Sequence, residues 1–403
     1  MASVLAWMDF SEIEQRRARE IVQLFTQRES RDELGIGMVR DVFSNAMFPG
    51  VSVIHTRARY FLIIPWIFQK AGERGRSGTQ LLAWSTRNER LLIETLRAGG
   101  DEEGLIGREA GIKVKTLPST IYWSSLQRYG ILRVAASIEQ VAASAGRKAS
   151  IEDAITEQVD RSDQLWDPYL PPAPAGFPNL DSLNFALADH ESSWLRERIT
   201  QTCNGSLLEL LITHRITPGP NEGPWDESWA TELPEELQRI VHHADLFSLT
   251  MHGASILYNK LLAQRCCDLR LGIGDAVLPD YTTRFQDWQG VIDERSAELA
   301  AWDVDDFWAF VASQRPGRTS LAQRFIDSWI HLVRAGATDS PAAQSLVAAR
   351  EKEQKRGQAR LVNDRLLRQW GGSSGTDRLA FRWGQVRRMM SDLNGAEVGD
   401  AGT

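Results

Sequence analysis

The chain has 403 residues, 42% of them hydrophobic and 25% charged, the balance of a folded globular protein rather than a disordered one. Its length allows two or three domains of roughly 150 residues each, and a net charge of −7 taken alone argues against a general nucleic-acid binder. Three cysteines, two of them the adjacent Cys266 and Cys267, exclude a disulfide framework and leave no CxxC pair for zinc, which fits a reducing cytoplasm.

In chain order, the first residues lack a basic start followed by a long apolar run, so no signal peptide is expected. Val4 to Trp7 could form a short strand, and Ile13, Ile21, Leu24 and Phe25 mark one face of a first helix. Ser11-x-x-Glu14, Ser30-x-x-Glu33, Thr86-x-x-Glu89, Ser206-x-x-Glu209 and Ser320-x-x-Gln323 have the form of capping boxes. Ser340-Pro341 adds a cap with proline in the first helical position. The longest apolar run, residues 60–68, has nine residues; a membrane span needs about 20. ERGRSG at 73–78 predicts a loop. Residues 105–132 could form a helix-turn-helix, with a turn at Gly111 and a second helix from Pro118 that would turn Ser119, Thr120, Trp123 and Gln127 toward a groove. Yet Ile121, Tyr122, Trp123 and Leu126 suit a core better than a groove.

Residues 167–181 carry five prolines and must be extended; residues 218–234 carry four, with Trp225 and Trp229 to pin a loop. Phe325, Trp329 and Val333 continue a four-residue spacing from Leu321, with Ile326 and Ile330 beside them, as one helix face requires. GGSSG at 371–375 reads as a flexible joint, and 394–403 as a frayed tail. Sustained strand alternation is nearly absent. The fold expected is mainly α and multi-helical, with little or no sheet. Five stretches follow along the chain: 1–78, a helical 79–166, a central helical domain at 183–336, a basic helical region at 337–392, and the tail at 393–403. Most of the fourteen tryptophans are expected as core anchors, since an indole adds large apolar area and one N–H that needs a partner.

The densest mix of glycine, paired charge and aromatic residues is at 31–69. Gly35-Ile36-Gly37 could bring backbone amides to a phosphate or simply make a tight turn between helices. Arg57 and Arg59 could line a ligand site closed by Tyr60 and Trp66, and Glu33, Arg40, Asp41, Arg57, Arg59 and Tyr60 could together build the pocket of an enzyme; the alternative is a buried Arg57–Asp41 ion pair that fixes helix packing. His242 and Asp245 have the i,i+3 spacing of two metal ligands, but no third or fourth donor has telling spacing, so neither a metal nor any other cofactor is expected. There is no Walker A loop, no G-x-S-x-G elbow and no H-E-x-x-H. Glu353-Gln354-Lys355 has a nuclease-like Glu-x-Lys form, but in a helical run.

Charge is polarised along the chain. Residues 151–245 hold 18 acidic against 5 basic side chains, and residues 350–388 hold 11 basic against 4 acidic. Arg356, Arg360, Arg365, Arg368, Arg378, Arg382, Arg387 and Arg388, interleaved with Trp370, Phe381 and Trp383, form the candidate binding region. Its partner could be nucleic acid, another protein, or the acidic middle of the same chain.

DELGIG-x-x-RD, the FPG at 48–50, TRARYFLIIPWIF, LPSTIYW, MHGASILYNKLLA and the closing FRWGQVRR together resemble a bacterial family catalogued as domain of unknown function six-three-six-one, over nearly the whole chain. That resemblance implies a full-length unit and carries over no catalytic residue. It also suggests anti-phage or mobile-element gene clusters, with helicase or nuclease partners encoded nearby. The expectation is a non-catalytic helical subunit of a DNA-handling or defence assembly, with no membrane contact. The alternative is an enzyme of unrecognised type, with a pocket around Arg40, Asp41, Arg57, Arg59 and Tyr60.

Overall fold

Apolar residues spaced for helices give a mainly α fold among the described residues. The computed structural model describes residues 32–100, 102–145, 165–315 and 320–395, and these fall into two compact units, each built from discontinuous segments. The described part of the first unit comprises residues 48–100, 102–145, 165–220 and 384–395; that of the second comprises 32–47, 221–315 and 320–383. In chain order, α1 (Gly37–Met47) belongs to the second unit. Six helices among the described residues of the first unit follow: α2 (Tyr60–Glu73), α3 (Gly78–Ala98), α4 (Pro118–Arg128), α5 (Ile138–Ser144), α6 (Asp189–Thr202) and α7 (Leu207–Thr213). The second unit resumes with α8 (Glu235–Asp268), α9 (Gly272–Glu294), α10 (Ser296–Ala301), α11 (Val304–Gln314), α12 (Ser320–Arg334), α13 (Pro341–Lys355) and α14 (Asp364–Leu367). The chain then enters α15 (Trp383–Gly395), which lies in the first unit from its second residue on. Among the described residues the β pairing is one isolated bridge, Leu132 to Trp166.

The first unit is organised on α2. Its first nine residues, Tyr60 through Phe68, are all buried, as a helix apolar on every side must be. The polar ends of its aromatics find partners. Trp66 Nε1 donates to the Pro171 carbonyl at 2.7 Å, and the Tyr60 hydroxyl accepts from the Ile106 amide at 3.1 Å. The Pro171 contact explains why the proline-rich stretch is ordered: it supplies the acceptor that a buried indole needs.

The second unit is built on α8, whose 34 residues span about 50 Å at 1.5 Å per residue. A turn with Arg270 at φ 54° returns the chain as α9, so the two helices form an antiparallel hairpin. Their approach depends on small residues. A Cβ on Gly253 of α8 would fall 2.1 Å from the Trp288 ring of α9, while a Cβ on Gly274 would meet the Cys267 amide nitrogen at 2.6 Å. Trp288 is buried and tied by its indole N–H to the Leu249 carbonyl at 2.9 Å, so it cannot swing aside. Gly253→Ala is therefore expected to destabilise the protein by about 2–3 kcal/mol, the upper range for overpacking. A urea midpoint equal to that of the parent chain would contradict this.

Phe325, Ile326, Trp329, Ile330 and Val333 of α12 are buried as their spacing predicts, and Leu321 is exposed. Ser206 and Ser340 cap α7 and α13 through the Glu209 and Ala343 amides. Thr86 and Glu89 instead lie inside α3; Glu89 uses its carboxylate on Ser119, at the start of α4. Val4 to Trp7, the face from Ile13 to Phe25, Ser11, Ser30 and the tail beyond residue 395 lie outside the described residues.

Two expectations are corrected. Residues 105–132 are not a helix-turn-helix: turns and one 3-10 turn (Gly111–Lys113) precede α4. Ser119 and Trp123 are buried and Gln127 is bonded to the Ala136 carbonyl, so α4 serves the core. Nor is GGSSG a free joint. The Ser374 amide donates to Asn259 Oδ1 at 2.8 Å, Asn259 Nδ2 returns a bond to the Ser374 carbonyl, and Tyr281 donates to the Gly372 carbonyl at 2.7 Å. Side chains of α8 and α9 thus hold the backbone that composition alone marks as loose.

Candidate functional site

The six candidates from residues 31–69 are divided between the two units. Glu33, Arg40 and Asp41 belong to the second unit; Arg57, Arg59 and Tyr60 belong to the first. Asp32 takes the Ile36 and Gly37 amides at 2.7 and 2.8 Å, and Gly35 turns the chain at φ 66°. The amides of Gly-x-Gly are thereby used by the chain's own carboxylate, as a helix start requires. Arg350, 5% exposed, clasps the other side of this turn by donating to the Leu34 and Gly35 carbonyls. A Cβ on Gly35 would meet the Arg350 guanidinium at 2.6 Å.

Glu33, also 5% exposed, is held by Lys355 and Arg360, each at 3.0 Å. Burial by itself would raise its carboxyl, but the charges of Arg360 and then Lys355, with their hydrogen bonds, bring it below the ordinary value. Nearby in the same network, Glu351 accepts from the Tyr258 hydroxyl at 2.7 Å and from the Arg360 and Leu361 amides. Burial, then the charges of Glu33 and Glu351, push the Tyr258 hydroxyl up, so it stays a donor.

Arg57 does not pair with Asp41. Its guanidinium is bound to Asp392 of α15 at 2.9 Å and covers the Phe185 ring at 4.8 Å. Arg59 pairs with Glu191 at 3.1 Å and donates to the Asn184 carbonyl. Asp41 takes its own neighbour, Arg40, at 2.9 Å. A buried ion pair is present, then, with a partner that no local spacing indicates. Tyr60 is buried, and burial raises its hydroxyl. The cavities beside Tyr60 and Arg57 are about 10 Å³ each, room for a single water. Both Arg57 and Arg59 face carboxylates.

The histidines also take separate partners. His242 meets Glu298, and His243 meets Asp306 and accepts from the Trp302 indole. Asp245 binds Arg295 and Arg378. The Arg378 contact joins the basic end of the chain to its acidic middle within the second unit, and Trp225 stacks on the same guanidinium at 4.8 Å.

The eight basic candidates therefore divide by what they already touch. Arg360 binds Glu33, Arg378 binds Asp245, Arg382 binds Asn45, and Arg388 binds Glu103. Arg387 is half-buried in the first unit. Arg356, Arg365 and Arg368 remain, exposed and without an ion pair among the described residues. They lie on the segment that leaves α13, Arg356 in the turn directly after it, Arg365 within α14 and Arg368 at the end of α14. Asn363 ties it together, donating to the Gly357 carbonyl at 2.9 Å and capping α14 at the Leu366 amide. Between these arginines Val362 is 57% exposed, a feature the sequence reading passed over. Its one signal was an apolar residue inside a basic run that fits no helical face.

These features make the chain a mainly α protein whose candidate site is a basic surface segment that also exposes an apolar side chain. The chain belongs to the family described as "Family of unknown function (DUF6361)", whose model matches residues 2–399. No curated protein and no solved structure matches it. No helix among the described residues is long and apolar enough to cross a membrane.

Proposed function

We propose that this protein is a non-catalytic helical subunit of a DNA-handling or anti-phage assembly, and that the segment from Arg356 to Arg368 docks an acidic partner protein. The observation that carries the docking is Val362, exposed in the segment that also exposes Arg356, Arg365 and Arg368. An exposed apolar residue in a segment of exposed arginines has the composition of a protein interface, where Arg is enriched and a small apolar centre excludes water. Three cations are few for a duplex reader, and four of the other basic candidates have their guanidiniums committed within the fold. The assembly itself is suggested by the family resemblance alone.

The test is co-expression with the products of adjacent genes, followed by size-exclusion chromatography. The parent chain should elute in a complex. Val362→Asp and the triple change Arg356→Glu, Arg365→Glu, Arg368→Glu should each release it while leaving the melting temperature unchanged. A complex that survives both changes would remove the segment from the interface.

A further inference from the structure

A second basic surface, on the first unit, is used by nothing described so far. α2 ends in a turn in which the Gly75 amide donates to the Gly72 carbonyl at 2.8 Å and the Arg76 amide to the Ala71 carbonyl at 3.2 Å, with Gly75 at φ 68°. This is the paired hydrogen bonding of a Schellman turn, so the backbone carrying Arg74 and Arg76 is fixed. Both side chains then fold onto one indole. The Arg74 and Arg76 guanidinium carbons lie 4.9 and 5.4 Å from the Trp84 ring centre. Neither arginine has a carboxylate partner among the described residues; Glu73, next to them, is taken by Lys70 at 2.8 Å.

The surface continues along α3. Arg87, one turn beyond Trp84, is exposed and unpaired among the described residues. Arg90 reaches the Val114 carbonyl at 3.5 Å, which brings the exposed Lys113 and Lys115 alongside the helix. Two exposed apolar side chains lie among these cations, Leu91 at 47% and Ile112 at 53%. The stripe ends where Arg97 binds Glu94 at 2.8 Å. From residue 78 to residue 91 it covers about 20 Å of helix at 1.5 Å per residue.

We propose that this stripe binds single-stranded nucleic acid, with Arg74, Arg76, Arg87, Lys113 and Lys115 on the phosphates and the apolar side chains against unstacked bases. Trp84 acts as the pillar: by cation–π attraction it holds two planar forks in place, so less side-chain freedom is lost when phosphate arrives. A line of cations interleaved with exposed apolar groups matches an extended polyanion that has faces to pack, which an isolated acidic side chain or a free phosphate does not offer. The proposal concerns a different unit and a different ligand from the docking segment, and stands without it.

Fluorescence polarisation of a labelled oligothymidine with the full-length protein, over a salt series, tests this. The parent chain should bind at low salt. Changing Arg74, Arg76 and Arg87 together to Gln should weaken binding at least about tenfold and lower the slope of log affinity against log salt by about 2, at ~0.7 per lost phosphate contact. Trp84→Ala should weaken binding with a smaller change in slope, because the charges remain. The Arg356, Arg365, Arg368 triple reversal should bind as the parent does. The proposal is overturned if the parent chain does not bind at low salt, or if the Gln triple keeps the parent's affinity and slope. It is equally overturned if the triple reversal abolishes binding, if a duplex binds more tightly than the single strand, or if polyglutamate displaces the oligonucleotide as well as unlabelled strand does.

Discussion

Asp392→Ala should cost this protein about 3–5 kcal/mol, the range for removing one member of a buried ion pair. Three groups depend on that carboxylate. Arg57 Nε binds Oδ1 at 2.9 Å, its Nη2 lies 2.9 Å from the same oxygen, and the Ala58 amide donates to Oδ2 at 2.7 Å. The Asp392 side chain is 5% exposed and that of Arg57 14%, so water replaces the lost bonds poorly. The guanidinium would keep the Glu103 carbonyl and the Phe185 face, whereas the Ala58 amide would lose its acceptor next to a fully packed helix start. An orphaned buried amide alone costs about 1–3 kcal/mol. Since whole domains are stable by only about 5–15 kcal/mol, the variant should unfold at much lower urea. Asp392→Asn, which keeps one acceptor oxygen and the shape, should lose less. A loss below about 1 kcal/mol for the Ala variant would place the pair in the weak, surface-like class and refute the account.

This pair also marks where the sequence stops being readable. Local physics was legible: the all-apolar run 60–68 became a helix buried on every side, the Phe325–Trp329–Val333 face became core, and Ser206 and Ser340 became caps. Each of those depends on neighbours within a few positions. Arg57 and Asp392 are 335 positions apart, and Glu33 and Arg360 are 327 apart. Their pairing follows from topology, which periodicity does not encode, so Asp41 looked as suitable a partner as any. The same limit applies to charge counting. Eight arginines read as one basic region, yet Arg360, Arg378, Arg382 and Arg388 are held by specific acceptors, and their net charge says nothing about which remain available. GGSSG failed for a related reason: composition reports freedom in the unfolded chain, while the Asn259 and Tyr281 side chains that fix its backbone come from distant helices. The Trp84 platform was within reach of sequence, because ERGRSG followed by a tryptophan one to two turns into a helix places arginines near its ring.

Acid should lower the protein's stability over two pH ranges, and Glu33→Gln should lessen the loss only in the lower one. Glu33 has a folded pKa below its ordinary value, because the attraction of Arg360 and Lys355 overcomes the burial that would raise it. Its stabilising effect is therefore present above the unfolded carboxyl pKa, about 4.3, and is lost as pH falls through the lower folded value. His252 acts earlier. Burial, reinforced by the nearby Arg284 charge, pulls it down to about 4 against the Thr376 carbonyl that would hold its proton. The unfolded chain takes up that proton below about pH 6.5 and the folded chain does not, so stability declines from there toward pH 4. His243, lowered by burial against the pull of Asp306, adds to the same stage. At pH 7, Glu33→Gln should cost about 3 kcal/mol. That is the low end for a broken buried pair, because the Lys355 and Arg360 side chains keep 31% and 20% exposure and can be hydrated. Urea midpoints across the acid range should show parent and variant declining in parallel from pH 6.5 to about 4.5, as the histidines require. Below that the parent should fall toward the variant as Glu33 itself takes a proton. If the gap between the two stays constant to the lowest pH at which both fold, the Glu33 carboxylate is not what binds Lys355 and Arg360 to the turn before α1.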